Sequence, residues 1–141
     1  MEEQLNITRT LSAYIAQVDA VRLPEEVVEK AKIHILDSIG AIISGSLLKP
    51  GRLMIDFVRT QRGSEEATVP ASNFKTSIVM AALANGTMAH ADETDDAHFP
   101  TVSHPGSVAV SAALPVAERE RRSGKDLIAA VVLGYDVMCR T

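Results

Sequence analysis

The chain has no tryptophan, one cysteine and only 4% aromatic residues. A single thiol, Cys139, excludes an internal disulfide, a four-thiolate zinc centre and an iron–sulfur cluster held by this chain alone. A reducing cytoplasm is the compartment that fits it. With few aromatics and abundant Ala, Val, Ile and Leu, the composition favours close-packed helices over a β-sandwich. No stretch reaches the ~20 apolar residues needed to cross a bilayer, and the opening MEEQLNITRT lacks the apolar core of a secretion signal. Neither a membrane nor export is expected. Positive charge is scarce as well, the net charge being −4. The one basic cluster, Arg119, Arg121 and Arg122, suits the negative end of a helix dipole, so nucleic acid is not an expected partner.

What is present is a core-forming sequence: 46% of its 141 residues are hydrophobic, enough for one packed domain. Leu5, Leu11, Ile15 and Val18 fall near helical spacing. Pro24 is placed at the first position of a second helix whose stripe is Val28, Ala31, Ile35, Ile39 and Ile42. From Leu36 to Leu48 that helix is apolar almost all round, which predicts burial on several faces. KPGR should break it before a third amphipathic piece over 52–61, ending at Gly63. EEATVPAS is expected to be extended, and a helix to run from about Ser77 to Ala89. A further helix starts at Pro105, and Pro115 is expected to kink it or end it early. Ser123 and Asp126 form a capping box for a final helix that meets no stop signal, so the sequence is expected to be cut in mid-element. The fold class is all-α.

The chemistry is concentrated in HADETDDAHFPTVSHPG, residues 90–106, which holds three of the four histidines and four carboxylates. Three readings are open. It is a solvated acidic loop; or its imidazoles and carboxylates ligate a metal, although His90, His98 and His104 match no ligand spacing of one helical turn and HExxH is absent; or a histidine beside a carboxylate moves protons near neutral pH. SHPG puts His104 at the mouth of a helix whose first N–H groups are unpaired, where an anionic substrate group has donors to meet. Ser103 is equally placed to be a plain N-cap. Asn85 and Gly86 read as a turn or a close helix approach. His34 reads as a buried or boundary histidine, and Met80, Met88 and Met138 as core filler.

ANGTMAHADETDDAHFPTVSHPG resembles the signature of the MmgE/PrpD family, whose members include 2-methylcitrate dehydratase, cis-aconitate decarboxylase and iminodisuccinate epimerase. KIHILDSIGAIISG and GKDLIAAVVLGYDVMCR extend the resemblance over nearly the whole chain. Asn85, Gly86, His90, Asp95, Asp96, His104 and Pro105 match the family pattern directly. The remaining acidic position holds Glu93, with Asp92 immediately before it, and both stand as candidates for that role.

The resemblance implies a larger cofactor-independent enzyme, an all-helical domain joined to a smaller α/β domain, with residues 1–141 the N-terminal portion of the helical part. It implies a lyase or isomerase of di- or tricarboxylates that abstracts a proton next to a carboxyl group, and a homodimer. His104, Glu93 and Asp96 are then the catalytic candidates, and Asp92, Asp95, Ser103 and His98 the substrate-binding ones. No metal is expected. Residues 76–118 contain no Lys or Arg, so the cations that bind a polycarboxylate are expected from elsewhere. The alternative from another class is a catalytically silent helical module that only dimerises.

Overall fold

The computed structural model describes residues 6–17, 23–61 and 63–140. Among them are six α-helices and one two-stranded hairpin, so the expected all-α class holds. Leu5 and Val18 of the first predicted helix, and Thr141, lie outside the described residues. Asn6 opens α1 (Ile7–Ala16) by accepting the Arg9 N–H. None of the residues of α1 is fully buried, and its tie to the body is the Tyr14 hydroxyl donating to Asp136.

Helix α2 (Glu25–Ser46) begins one residue later than expected. Pro24 is its N-cap, in extended conformation, and its carbonyl accepts from Val27 and Val28. The expectation of burial on several faces is corrected. Ala31, Ser38, Ala41, Ile42, Gly45 and Ser46 are buried, while Ile33, Leu36 and Leu47 remain 60–71% exposed. The apolar run is continuous, but only the small-residue side has helices packed on it. KPGR does not break structure either. A short turn at Leu47 and Leu48 bends the path by 86°, and α3 (Lys49–Gln61) already contains KPGR in its first turn. Proline is tolerated there because its missing N–H has no helical partner in any case.

The extended stretch is β1 (Ala67–Val69), and it pairs antiparallel with β2 (Phe74–Thr76), a strand the sequence reading did not foresee. The hairpin is held by Glu118. That carboxylate accepts from the Thr68 backbone N–H and hydroxyl, both at 2.7 Å, and pairs with Lys75 at 2.8 Å. Ser77 caps α4 (Ile78–Ala89), the helix expected from about Ser77 to Ala89. α5 (Pro105–Arg119) starts at the expected proline and continues past Pro115. The expected early end does not occur. The Pro115 ring is fully buried, and its packing offsets the hydrogen bond the ring removes. The capping box opens α6 (Gly124–Arg140): Ser123 Oγ accepts from the Asp126 N–H, and Asp126 accepts from the Ser123 N–H.

The core lies where α4 meets α2, α3 and the hairpin, around Ile42, Ile55, Val58, Val69, Ala84 and Met88. Small residues set the distances. A methyl group on Gly45 would stand 1.8 Å from the Met88 carbonyl oxygen, so α2 and α4 touch backbone to backbone. Gly51 brings the start of α3 equally close to the Gly45 carbonyl, and Gly134 brings α6 onto Ala109 of α5. This close approach fixes the end of α4, and therefore the entry to the 90–104 connector.

Two outcomes follow from this packing. Gly45→Ala is expected to cost about 3 kcal/mol or more in chemical denaturation, because the obstacle is backbone that cannot rotate away. Burial works against a charged Glu118, yet Lys75 and the Thr68 donors outweigh it and hold the carboxyl below its ordinary value. A depressed folded value gives stability that is present above the unfolded range of about 4.3 and is lost as the pH falls through the lower folded value. The difference in melting temperature between Glu118→Gln and the parent chain is therefore expected to narrow from about pH 7 to about pH 3. An unchanged difference would show that the carboxylate charge does not hold the hairpin.

Candidate active site

Asp95 and Asp96 follow each other in the chain and face different partners. The Asp95 carboxylate is fully buried, and two imidazoles lie against it. His90, the C-cap of α4, places Nδ1 3.2 Å from Asp95 Oδ1 and 3.3 Å from Oδ2. His104, the N-cap of α5, places Nδ1 3.5 Å from the same Oδ1. The two rings are 4.8 Å apart, centroid to centroid. Residues fourteen positions apart in sequence thus meet because α4 ends where α5 begins, a convergence their spacing does not reveal.

Asp96 is a structural junction. Its Oδ1 accepts the Gly106 backbone N–H at 2.8 Å, so a carboxylate already occupies the mouth of α5 that the sequence offered to an anionic substrate. Its Oδ2 accepts the Tyr135 hydroxyl of α6 at 2.8 Å and lies 3.3 Å from His34 Nδ1 of α2. The junction is tight. A methyl on Gly106 would stand 2.5 Å from Asp96 Oδ1, 2.6 Å from Ser38 Oγ and 2.8 Å from the Tyr135 hydroxyl. Burial, and then the Asp96 charge that accepts its proton, push the Tyr135 phenol far above its ordinary range. It stays a donor. His34 and Tyr135 also line an open cleft of about 430 Å³ with Val27, Lys30, Ala31 and Val131.

The other predicted residues sit around these two carboxylates without touching them. Asp92 accepts the Ser44 hydroxyl at 2.7 Å and the Thr94 hydroxyl at 2.8 Å, contacts that hold its carboxyl below the ordinary range and tie the connector to α2. Glu93 is exposed, in left-handed conformation with φ 54°. His98 and Ser103 exchange backbone hydrogen bonds in an isolated bridge, and the Thr101 hydroxyl contacts both side chains. Ser103 is not the N-cap of α5; that position belongs to His104, and the side-chain cap is supplied by Asp96. Asn85 is completely buried in α4, with neither amide atom hydrogen-bonded.

Sequence reasoning missed Tyr135 and the contact with Asp96 made by His34, which it had read as a buried or boundary histidine. The usable signal for Tyr135 was an apolar helix carrying one phenol, which needs an acceptor when buried. His34 offered no comparable signal.

On this all-α scaffold two imidazoles lie against one buried carboxylate at the junction of two helices. The chain belongs to the MmgE/PrpD family: residues 9–141 match the MmgE/PrpD N-terminal domain. It is similar to the cis-aconitate decarboxylase-like protein oryM of Aspergillus oryzae (strain ATCC 42149 / RIB 40), with 25% identity over 138 residues. That match covers 93% of this chain and 29% of the relative, so the chain spans less than a third of the relative's length. No solved structure matches. Among the described residues, no single helix is long and apolar enough to cross a membrane.

Tyr135→Phe removes one of the donors to Asp96 while keeping the ring. Unfolding in urea is expected to show a loss of about 1–3 kcal/mol, the scale of a hydrogen bond to a charged group. Amide exchange at Gly106 should accelerate in the same variant, since its acceptor loses a support.

Proposed function

We propose that the chain supplies an acid–base site of a cofactor-independent lyase or isomerase acting on a di- or tricarboxylate. One observation carries the reading: His104 has its Nδ1 turned inward on the buried Asp95 carboxylate. The atom Nδ1 is buried while the side chain as a whole is 34% exposed, so the accessible edge of the ring is the one bearing Nε2. A carboxylate behind an imidazole orients the ring and stabilises the imidazolium formed when the outer nitrogen takes a proton. His104 then takes a proton from, or returns one to, a carbon next to a substrate carboxyl group. Loss of hydroxide, loss of carbon dioxide or return of the proton on the other face would distinguish dehydratase, decarboxylase and epimerase outcomes.

Family membership and the name of the fungal relative support a lyase-like assignment. Asp96 assists from behind, by holding the first turn of α5 and so the backbone from which His104 projects. Glu93, exposed beside this cluster, is free to reach a substrate, and Asp92 shapes the loop through Ser44. The cationic partners of a polycarboxylate would come from parts of the full-length protein outside residues 76–118, which carry none.

The test is turnover of 2-methylcitrate, cis-aconitate and iminodisuccinate by the full-length gene product and its variants. His104→Ala is expected to lower kcat about 10²–10⁴-fold on the accepted substrate with circular dichroism unchanged, the usual contribution of a positioned acid–base group. His98→Ala, whose ring is held in its own turn, should lose far less. Near-parental kcat in a folded His104→Ala variant would remove His104 from the mechanism.

A further inference from the structure

The cluster that would move the proton also has the composition and spacing of a metal-binding set. His90, Asp95 and His104 each offer one donor atom, and these three atoms all lie within 4.8 Å of one another. Two imidazoles and a carboxylate are the three protein ligands of one group of open zinc sites, which keep a fourth position for water. Donors about 2.1 Å from such an ion stand about 3.4 Å apart at the tetrahedral angle. The observed separations from Asp95 Oδ1 are 3.2 Å to His90 Nδ1 and 3.5 Å to His104 Nδ1.

Two further observations favour a cation here over a purely structural contact. The Asp95 side chain is completely buried, and a buried carboxylate requires a compensating positive charge or several donors. His104 Nδ1 is also buried and makes no hydrogen bond, leaving a lone pair or a proton without a partner next to that carboxylate. Imidazole and carboxylate together suit zinc, cobalt and nickel more than magnesium or calcium, which prefer all-oxygen sets.

We propose that His90, Asp95 and His104 bind a divalent cation of the zinc type, and that its binding inhibits the enzyme. The inhibition rests on the reading of His104 as proton carrier: an imidazole nitrogen bonded to zinc fixes the ring and draws Asp95 away from its orienting role. The two catalytic states are thus metal-free and active, or metal-bound and arrested.

The experiment titrates EDTA-dialysed full-length protein with zinc sulfate by calorimetry and with cobalt chloride by visible absorption, then measures turnover with zinc and after chelation. One equivalent of zinc should bind, cobalt should give the intense d–d band of a low-coordinate site, and zinc should suppress turnover that EDTA restores. His90→Ala, a half-exposed position whose loss leaves the core intact, should weaken zinc binding more than about tenfold, since even changes behind the ligands cost about 10–100-fold. His98→Ala should leave zinc affinity unchanged. Absence of saturable zinc binding, or equal affinity in His90→Ala, overturns the site; faster turnover with zinc overturns the inhibition. If no polycarboxylate is turned over at all, the proposed function fails while the zinc and cobalt titrations still decide this inference.

Discussion

Two consecutive carboxylates, one fully buried and the other nearly so, are the constraint on which this structure turns. Placing charge inside a small helical domain is unfavourable unless every lone pair finds a donor. Asp96 meets that demand with groups from three helices: the Gly106 N–H of α5, Tyr135 of α6 and His34 of α2. Asp95 meets it in part with His90 at the end of α4, while the His104 ring that begins α5 lies 3.5 Å away without a hydrogen bond. Four helices are therefore registered against a single dipeptide. The helices hold the carboxylates in place, and the carboxylates specify how the helices meet.

The apolar packing supplies the stiffness this arrangement needs. Contacts at Gly45 and Gly51 bring backbone against backbone, while Gly106 packs against the Asp96, Ser38 and Tyr135 side chains and Gly134 against the Ala109 methyl, so the helices have little room to slide. Stiffness of that kind is what keeps an imidazole within hydrogen-bonding range of a carboxylate without strain on either. Within α2 the exposed apolar residues, such as Ile33 and Leu36, are those outside the buried set of Ala31, Ser38, Ala41, Ile42 and Gly45.

Local signals in the sequence were legible wherever a few neighbouring residues decide the outcome. Ser77, Pro105 and the Ser123–Asp126 pair mark helix starts by hydrogen bonds and ring geometry that span at most three residues. The second strand escaped because three-residue strands carry almost no periodicity, and one support of the hairpin, Glu118, lies about fifty residues away. Burial of α2 was overstated because an unbroken apolar run records what a helix can bury, not which side its neighbours occupy. In the connector, the signature marked the interval in which His90, Asp95 and His104 meet. The Asp96 junction was invisible, since its partners His34 and Tyr135 stand 62 positions before it and 39 after it, and only the packed helices bring them together.

The bridge between His98 and Ser103 closes residues 99–102 into a self-contained turn. Its tip carries Phe99 and Val102, both almost wholly solvent-exposed, and Val102 adopts a left-handed conformation unusual for a branched side chain. Everything that aims Asp95, Asp96 and His104 is anchored outside this turn. The tip can therefore be lengthened, shortened or rewritten as a unit while the contacts of Asp95, Asp96 and His104 keep their places. The same four residues offer an attachment point for a reporter group close to the carboxylate cluster without disturbing the helical frame.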